Sequence, residues 1–358
     1  MSTNRLYHTW LAQIRQLLPQ ERITRLRIFA WFATGLCLCR SVYLSRIASR
    51  IPGATLRASK TRRLRRFLDN PAVRVRPWYQ PVARSLLAGL AAQGLAIRLI
   101  VDGTRVGFGH QLLMVTVAHR RRALPVAWTW VKSRRGHSSV AKQQALLKYV
   151  KALIPPGAEV LIVGDSEFGD VTLLRQLEEW GWHYVMRQQG RFLVQVAGED
   201  WQPLGALVPH RGQKRWVAGG LLTAKYAYPV NLLAYWKPGE KEPWLLATNL
   251  PSQKATLRAY RRRMWVDEMF GDFKKHGFDL EKTHLRHFLR LSRLTLVAAW
   301  VYYWLVCLGS ATLKNGRRRL VDRSDRRDLS IFRIGLNMLE RRVGNGAPIS
   351  FRGLPYFS

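Results

Sequence analysis

The sequence predicts an α/β protein whose mixed-sheet core carries a β-rich insertion and is preceded by an all-helical N-terminal region. Three observations predict it. Apolar residues before position 96 recur with a helical period. At Ala96 the texture changes to short, nearly uncharged apolar runs separated by turns, then to a helix–strand–helix pattern. From His183 to Asn249 the chain breaks into short β-like pieces divided by Gly and Pro.

In the first region, 1–95, Leu11-Ile14-Leu17-Leu18 and Ile28-Trp31-Phe32-Leu36 have helical spacing, and Pro52-Gly53 closes a helix from Val42 to Ile51. Ser59 is the expected cap of the next helix, which carries Arg62, Arg63, Arg65 and Arg66. Such helices suit a DNA-binding domain; the alternative is a solvated Arg-rich helix with no specific partner. Over 96–186, strands are expected at Ala96–Val101, Leu112–Ala118, Leu124–Trp130 and Glu159–Val163, with helices at Val140–Leu153 and Asp170–Trp182. The insertion, 187–249, holds short strands that end with Trp244–Thr248. A second core part, 250–313, reads as two helical stretches, and a basic segment, 314–358, ends in a helix over Ile331–Arg342.

The charge balance narrows the function. The chain has 358 residues, 59 Lys and Arg against 22 Asp and Glu, and a formal net charge of +37. That balance excludes an ordinary enzyme of small neutral metabolites. With 47% hydrophobic residues and 14 Trp, the chain is no disordered basic tail. A field of this sign points to nucleic acid or an anionic membrane. The apolar runs Ile28–Cys39 and Leu294–Leu308 fall short of the roughly 20 residues of a membrane span, so they read as buried helices. Met1–Gln20 lacks a signal-peptide pattern, which places the chain in the cytoplasm or nucleoid with no membrane partner. Cys37, Cys39 and Cys307 form neither a disulfide framework nor a zinc cluster.

In so basic a chain, acids flanked by apolar residues are informative. Asp102 ends the run Ile97-Arg-Leu-Ile-Val, and Asp165 ends Val160-Leu-Ile-Val-Gly. Carboxylates at the ends of buried strands are costly unless paired or bound to metal. The third element is Tyr260-Arg-Arg-Arg-Met-Trp-Val-Asp-Glu-Met-Phe-Gly-Asp-Phe-Lys274. On a helix, Tyr260, Arg263, Asp267 and Lys274 share an arc of roughly 60°, while Trp265, Val266, Met269, Phe270 and Phe273 fall opposite. Glu268 lies about 100° around from Asp267. A plain amphipathic helix explains the apolar stripe, but not an acid placed among cations and a phenol.

These motifs resemble the DDE insertion-sequence transposases, and more narrowly the family with a Y-R-E-K signature, insertion-sequence family four. The resemblance rests on Val-Asp102-Gly-Thr, Val-Gly-Asp165-Ser and the Tyr-x2-Arg-x3-acid-x6-Lys spacing, and it spans essentially the whole chain. It implies an RNase-H-like core and a set of site roles. Asp102, Asp165 and the third acid would bind Mg²⁺, with Mn²⁺ as a substitute. Tyr260, Arg263 and Lys274 would contact phosphates, and Trp244 would stack on a flipped base; its alternative is a buried strand Trp. It further implies cut-and-paste transposition through a hairpin intermediate, with terminal inverted repeats and target duplex as partners and a homodimer in the synaptic complex. The sequence departs from the family at Asp267, which stands where the family has Glu, with Glu268 beside it. Both stay open as the catalytic acid.

Two other classes remain: a transposase relative that binds DNA without catalysis, and an RNase-H-like nuclease or RNA-binding protein. A membrane-surface protein is remote, because no basic amphipathic anchor stands out.

Overall fold

The computed structural model describes residues 2–107, 109–132, 138–350 and 352–357. The N-terminal region is helical: α1 (Ser2–Leu17), α2 (Ile23–Cys39), α3 (Leu44–Arg50), α4 (Arg57–Asp69) and α5 (Val75–Ala91). Leu6, Trp10 and Ile14 recur every four residues along α1, and all three are buried. α2 stops at Arg40, which adopts the left-handed conformation and returns its N–H to the Leu36 carbonyl. Ser59 is not the cap of α4: the helix begins two residues earlier at Arg57, so Ser59 sits inside its first turn. Lys60, at the end of that first turn, anchors the helix to the preceding segment, its ammonium donating to the carbonyls of Ile51 and Gly53 at 2.8 and 2.7 Å. Arg62, Arg63, Arg65 and Arg66 are all exposed on α4, while Leu64, Phe67 and Leu68 are buried.

The sheet begins with β1 (Ile97–Val106), β2 (His110–His119) and β3 (Arg122–Lys132), an antiparallel meander. After α6 (Val140–Lys151), β4 (Val160–Gly164) pairs parallel to β1; after α7 (Val171–Glu179), β5 (His183–Arg187) pairs parallel to β4. The order β3-β2-β1-β4-β5 is that of an RNase-H-like core. The insertion does not form a sheet of its own. Its strands β6 (Leu193–Gln195), β7 (Gln202–Pro203), β8 (Lys214–Leu222) and β9 (Tyr228–Tyr235) extend the core sheet through β10 (Trp244–Thr248), which pairs with β5. The result is a single mixed sheet of ten strands.

The second core part differs locally from one continuous helix. α8 (Gln253–Tyr260) passes through a 3-10 turn, Arg261–Arg263, into α9 (Met264–Phe273), and Lys274 lies just beyond the end of α9. α10 (Phe288–Lys314) runs through the centre, and α11 (Ile331–Gly344) packs on it. That packing is close: a Cβ on Gly335 would come within 1.8 Å of the Leu305 carbonyl oxygen. α10 is longer than its apolar run and is long and apolar enough to cross a bilayer, but 94% of its apolar window is buried inside the protein. Trp10 packs against Trp304 and Phe29 against Trp300, so the N-terminal helices share a core with α10.

Candidate active site

Strand register brings the first two acids together. β1 and β4 run parallel with Val101 opposite Gly164, so Asp102 and Asp165 emerge side by side from neighbouring strands. Each spends one oxygen on the backbone that follows it. Asp102 Oδ1 accepts from the Gly103 N–H and Asp165 Oδ1 from the Ser166 N–H, both at 2.7 Å. The second oxygens face the 3-10 turn before α9.

That turn delivers Arg263 between them. Its Nη2 lies 3.0 Å from Asp102 Oδ2 and 3.6 Å from Asp165 Oδ2, and its Nη1 lies 3.2 Å from Asp267 Oδ2. Three carboxylates, far apart in sequence, thus address one guanidinium. Asp102 is 5% exposed, and burial pushes its carboxyl up to about 7, with the nearby Asp267 and Asp165 adding to the rise and Arg263 opposing it. Asp267 is also raised, by burial first and then by Asp165 and Glu268. Burial works to lower the Arg263 pKa, but Asp102, Asp267 and Asp165 outweigh it and the net shift is upward.

Glu268 points elsewhere. Its Oε2 lies 3.1 Å from Arg122 Nη1, and Arg122 Nε also donates to Asp272 Oδ2 at 2.8 Å. One guanidinium from β3 therefore grips α9 at positions i and i+4, on the flank away from Arg263. Lys274 pairs with Glu281 at 2.9 Å rather than with the three acids. Tyr260 is buried, which raises its phenol to about 12, and its ring meets the half-buried Trp244 edge-on at 5.1 Å between centroids.

Sequence reasoning missed Glu167 and Arg122. Glu167 follows Asp165 by two residues. It accepts from the Ser138 N–H and hydroxyl, both at 2.5 Å, and from Gln111 Nε2 at 2.9 Å. Gln111 takes this position beside Gly103: a Cβ there would lie 2.2 Å from Gln111 Nε2 and would force the amide to move. The Gly after Asp102 thus makes room for the side chain that steadies the loop after Asp165. The available signals were an extra acid in an acid-poor chain and the Arg triplet at the start of β3.

The donor set fits a divalent cation in kind. It consists of hard carboxylate oxygens converging on one positive charge, which suits Mg²⁺ or Mn²⁺. The cation now there fits imperfectly, because the buried Arg263 Nε–H has no acceptor among the described residues. With the guanidinium in place, no three acids, His or Cys among the described residues are spaced to hold a metal ion.

Comparison with known families then bears on the whole arrangement. A family described as "Transposase DDE domain" matches residues 97–304, which include all three converging acids and Arg263. The chain belongs to the DDE transposase domain family. No curated protein matches it. Among solved structures, this chain is similar to the piggyBac transposase in a cryo-EM structure of its synaptic complex with hairpin DNA, at 11% identity and a TM-score of 0.45, over 97% of this chain and 83% of that one.

Proposed function

We propose that the chain is the DNA transposase of an insertion sequence, acting by metal-dependent cut-and-paste, with Asp102, Asp165 and Asp267 as its catalytic acids. The observation that supports this most directly is their convergence on Arg263, within a DDE transposase domain. Bound Mg²⁺ or Mn²⁺ would activate the attacking oxygen and stabilise the leaving one. The chain's own residues do the rest. Asp102 and Asp165 are fixed by backbone hydrogen bonds, so once Arg263 leaves they present their second oxygens without turning. Arg263 is a natural partner for a DNA phosphate, which would draw it from the acids. Tyr260 and Lys274 would meet neighbouring phosphates, and Trp244 would stack on an extruded base after parting from the Tyr260 ring.

In this reading the 1–95 helices engage the terminal inverted repeats through Arg62, Arg63, Arg65 and Arg66, two copies assemble the synapse, and the protein works at the nucleoid. Strand cleavage is followed by a hairpin intermediate and by strand transfer into target DNA.

The test is incubation of the full chain with duplex bearing the element's terminal repeat and Mg²⁺ or Mn²⁺. Cleavage at the repeat boundary supports the proposal. Tight repeat binding without cleavage in either metal favours the second reading, a relative that binds DNA without catalysis. That reading is kept because Asp267 is one methylene shorter than the family's Glu.

A further inference from the structure

The hairpin between β2 and β3 has a two-residue loop, Arg120-Arg121, since His119 pairs with Arg122. Both loop residues hold positive φ, 45° and 61°. That geometry strongly prefers Asn-Gly, and L-residues with long side chains adopt it at a cost. Nothing in the hairpin's fold calls for arginine there. Strained backbone that carries charge to a loop tip is a pointer to function.

The tip borders a groove of about 680 Å³, walled by Met264, Trp265 and Glu268 of α9, by Arg318 and Arg327, and by the start of α11. Its acids are already answered: Glu268 by Arg122, and Asp328 by Arg326 at 3.0 Å. Arg121 and Arg327 have no carboxylate within ion-pair distance among the described residues. Arg120 and Trp265 also line an adjoining hollow of about 220 Å³, which adds Arg98 and Arg262. Arg262 is partly buried beside Arg98 and Arg258, and burial together with that like charge lowers its pKa. The lining of this hollow holds arginines and no acid, which makes an anion surface. Met264, 50% exposed, offers apolar contact beside them.

We propose that this groove binds the sugar–phosphate backbone of the target duplex. The inference rests on the transposase reading and adds the place where the second DNA lies. Three features choose target over the element's own end. The groove and hollow offer several arginines and no Asn or Gln, so adenine edges go unread and the arginines are left to clamp phosphates, which every sequence presents. No residue of α1–α4 lines it, so it is separate from the helices carrying the repeat-binding candidates. Its adjoining hollow also abuts the acids: Arg262 lines that hollow while its neighbour Arg263 faces Asp102.

Two variants of the full chain test this. Arg120→Asn with Arg121→Gly gives the turn its preferred residues; Arg121→Gln with Arg327→Gln removes charge and keeps the backbone. Binding is read by fluorescence anisotropy on a random-sequence duplex and on a terminal-repeat duplex across a salt series. Both variants should lose roughly tenfold or more in random-duplex affinity, and the log–log salt slope should fall by about two, near 0.9 per lost phosphate contact. The turn variant should melt no lower than wild type, which separates lost contacts from lost fold. Unchanged random-duplex affinity and slope would overturn the proposal. An equal loss on both duplexes would overturn the target assignment, and so would tighter binding of an RNA duplex than of DNA. If wild type fails to cleave terminal repeats while the variants still lose random-duplex binding selectively, the transposase reading falls and the groove's assignment to DNA backbone stands.

Discussion

Arg263 Nη2 sits 3.0 Å from Asp102 Oδ2, across 161 residues of sequence. The contact explains how the buried Asp102 carboxylate can lie beside two others that repel it. It also implies competition, because a guanidinium and a divalent cation cannot both occupy the focus of three carboxylates. A DNA phosphate that takes up Arg263 would free those oxygens, so DNA and metal binding should be coupled.

The first prediction follows. Arg263→Gln should destabilise the DNA-free protein by about 3 kcal/mol at pH 8, since breaking a buried ion pair strands the remaining charge. Either Mn²⁺ or a shift to pH 6 should recover much of that loss. The pH sign follows from Asp102, whose folded pKa, near 7 even with Arg263 opposing the rise, moves higher still in the variant, so protonation of the folded state restores stability as pH falls from 8 to 6. Thermal melts with and without Mn²⁺ check it. A variant as stable as wild type, or indifferent to Mn²⁺, would contradict the competition.

The second prediction concerns the third acid. Asp267→Asn should lower terminal-repeat cleavage by roughly a hundredfold or more while repeat binding persists. Asp267→Glu should keep or raise cleavage by restoring reach. Glu268→Gln should be mild, because Glu268 is held by Arg122 on the other flank of α9. The reverse ranking in a gel-based cleavage assay would place the working acid at Glu268.

The third prediction concerns that hold. Arg122 joins Glu268 and Asp272 of α9 to β3. Asp272 is buried, and burial lifts its carboxyl to about 6 even with Arg122 beside it. Arg122→Ala should therefore cost about 3–5 kcal/mol at pH 8, nearly all through Asp272, because the exposed Glu268 contributes little. Arg122→Lys should rescue only in part, since an ammonium at the end of a longer stem does not reproduce the Nε–H that donates to Asp272. Denaturant melts of the singles and of Arg122→Ala with Asp272→Asn measure the coupling, and additive losses would remove the role.

Much of this arrangement was legible in the sequence. Buried strands announce themselves by apolar runs, so the ends at Asp102 and Asp165 could be placed, and helical phase separated Asp267 from Glu268. What stayed hidden depends on tertiary partners. Nothing local marks Arg122 as the residue that holds α9, or Glu167 as the acceptor for Ser138 and Gln111. The 3-10 turn at Arg261–Arg263 interrupts the helix that periodicity draws as continuous, and Lys274 falls past its end, where it meets Glu281. Ser59 looked like a cap because capping chemistry was the only local cue. The docking of Trp10 on Trp304 and of Phe29 on Trp300 is likewise invisible from the sequence, since it joins residues far apart in the chain.

The fourth prediction uses His119, the last residue of β2. It is 5% exposed, its Nε2 has no hydrogen-bond partner among the described residues, and its ring lies edge-on to Phe357. Burial, with the positive charge of Arg120 adding to it, lowers its pKa to about 4. The folded protein thus holds His119 neutral where the unfolded chain would protonate it. Between roughly pH 6.5 and pH 4 the unfolded state binds more protons, so stability falls as pH falls through that window. The histidine's share is about 3 kcal/mol by pH 4. Other acids in the protein titrate there too, so the useful quantity is a difference. His119→Leu keeps the volume, removes the unpaired nitrogen and cannot titrate. Urea melts of both proteins from pH 7.5 to pH 4 should show the variant gaining on wild type by about 3 kcal/mol toward the acid end, with no change in the gap above pH 7. A gap independent of pH would mean that His119 is solvated or already paired in solution, and that the β2 end is looser than its packing against Phe357 indicates.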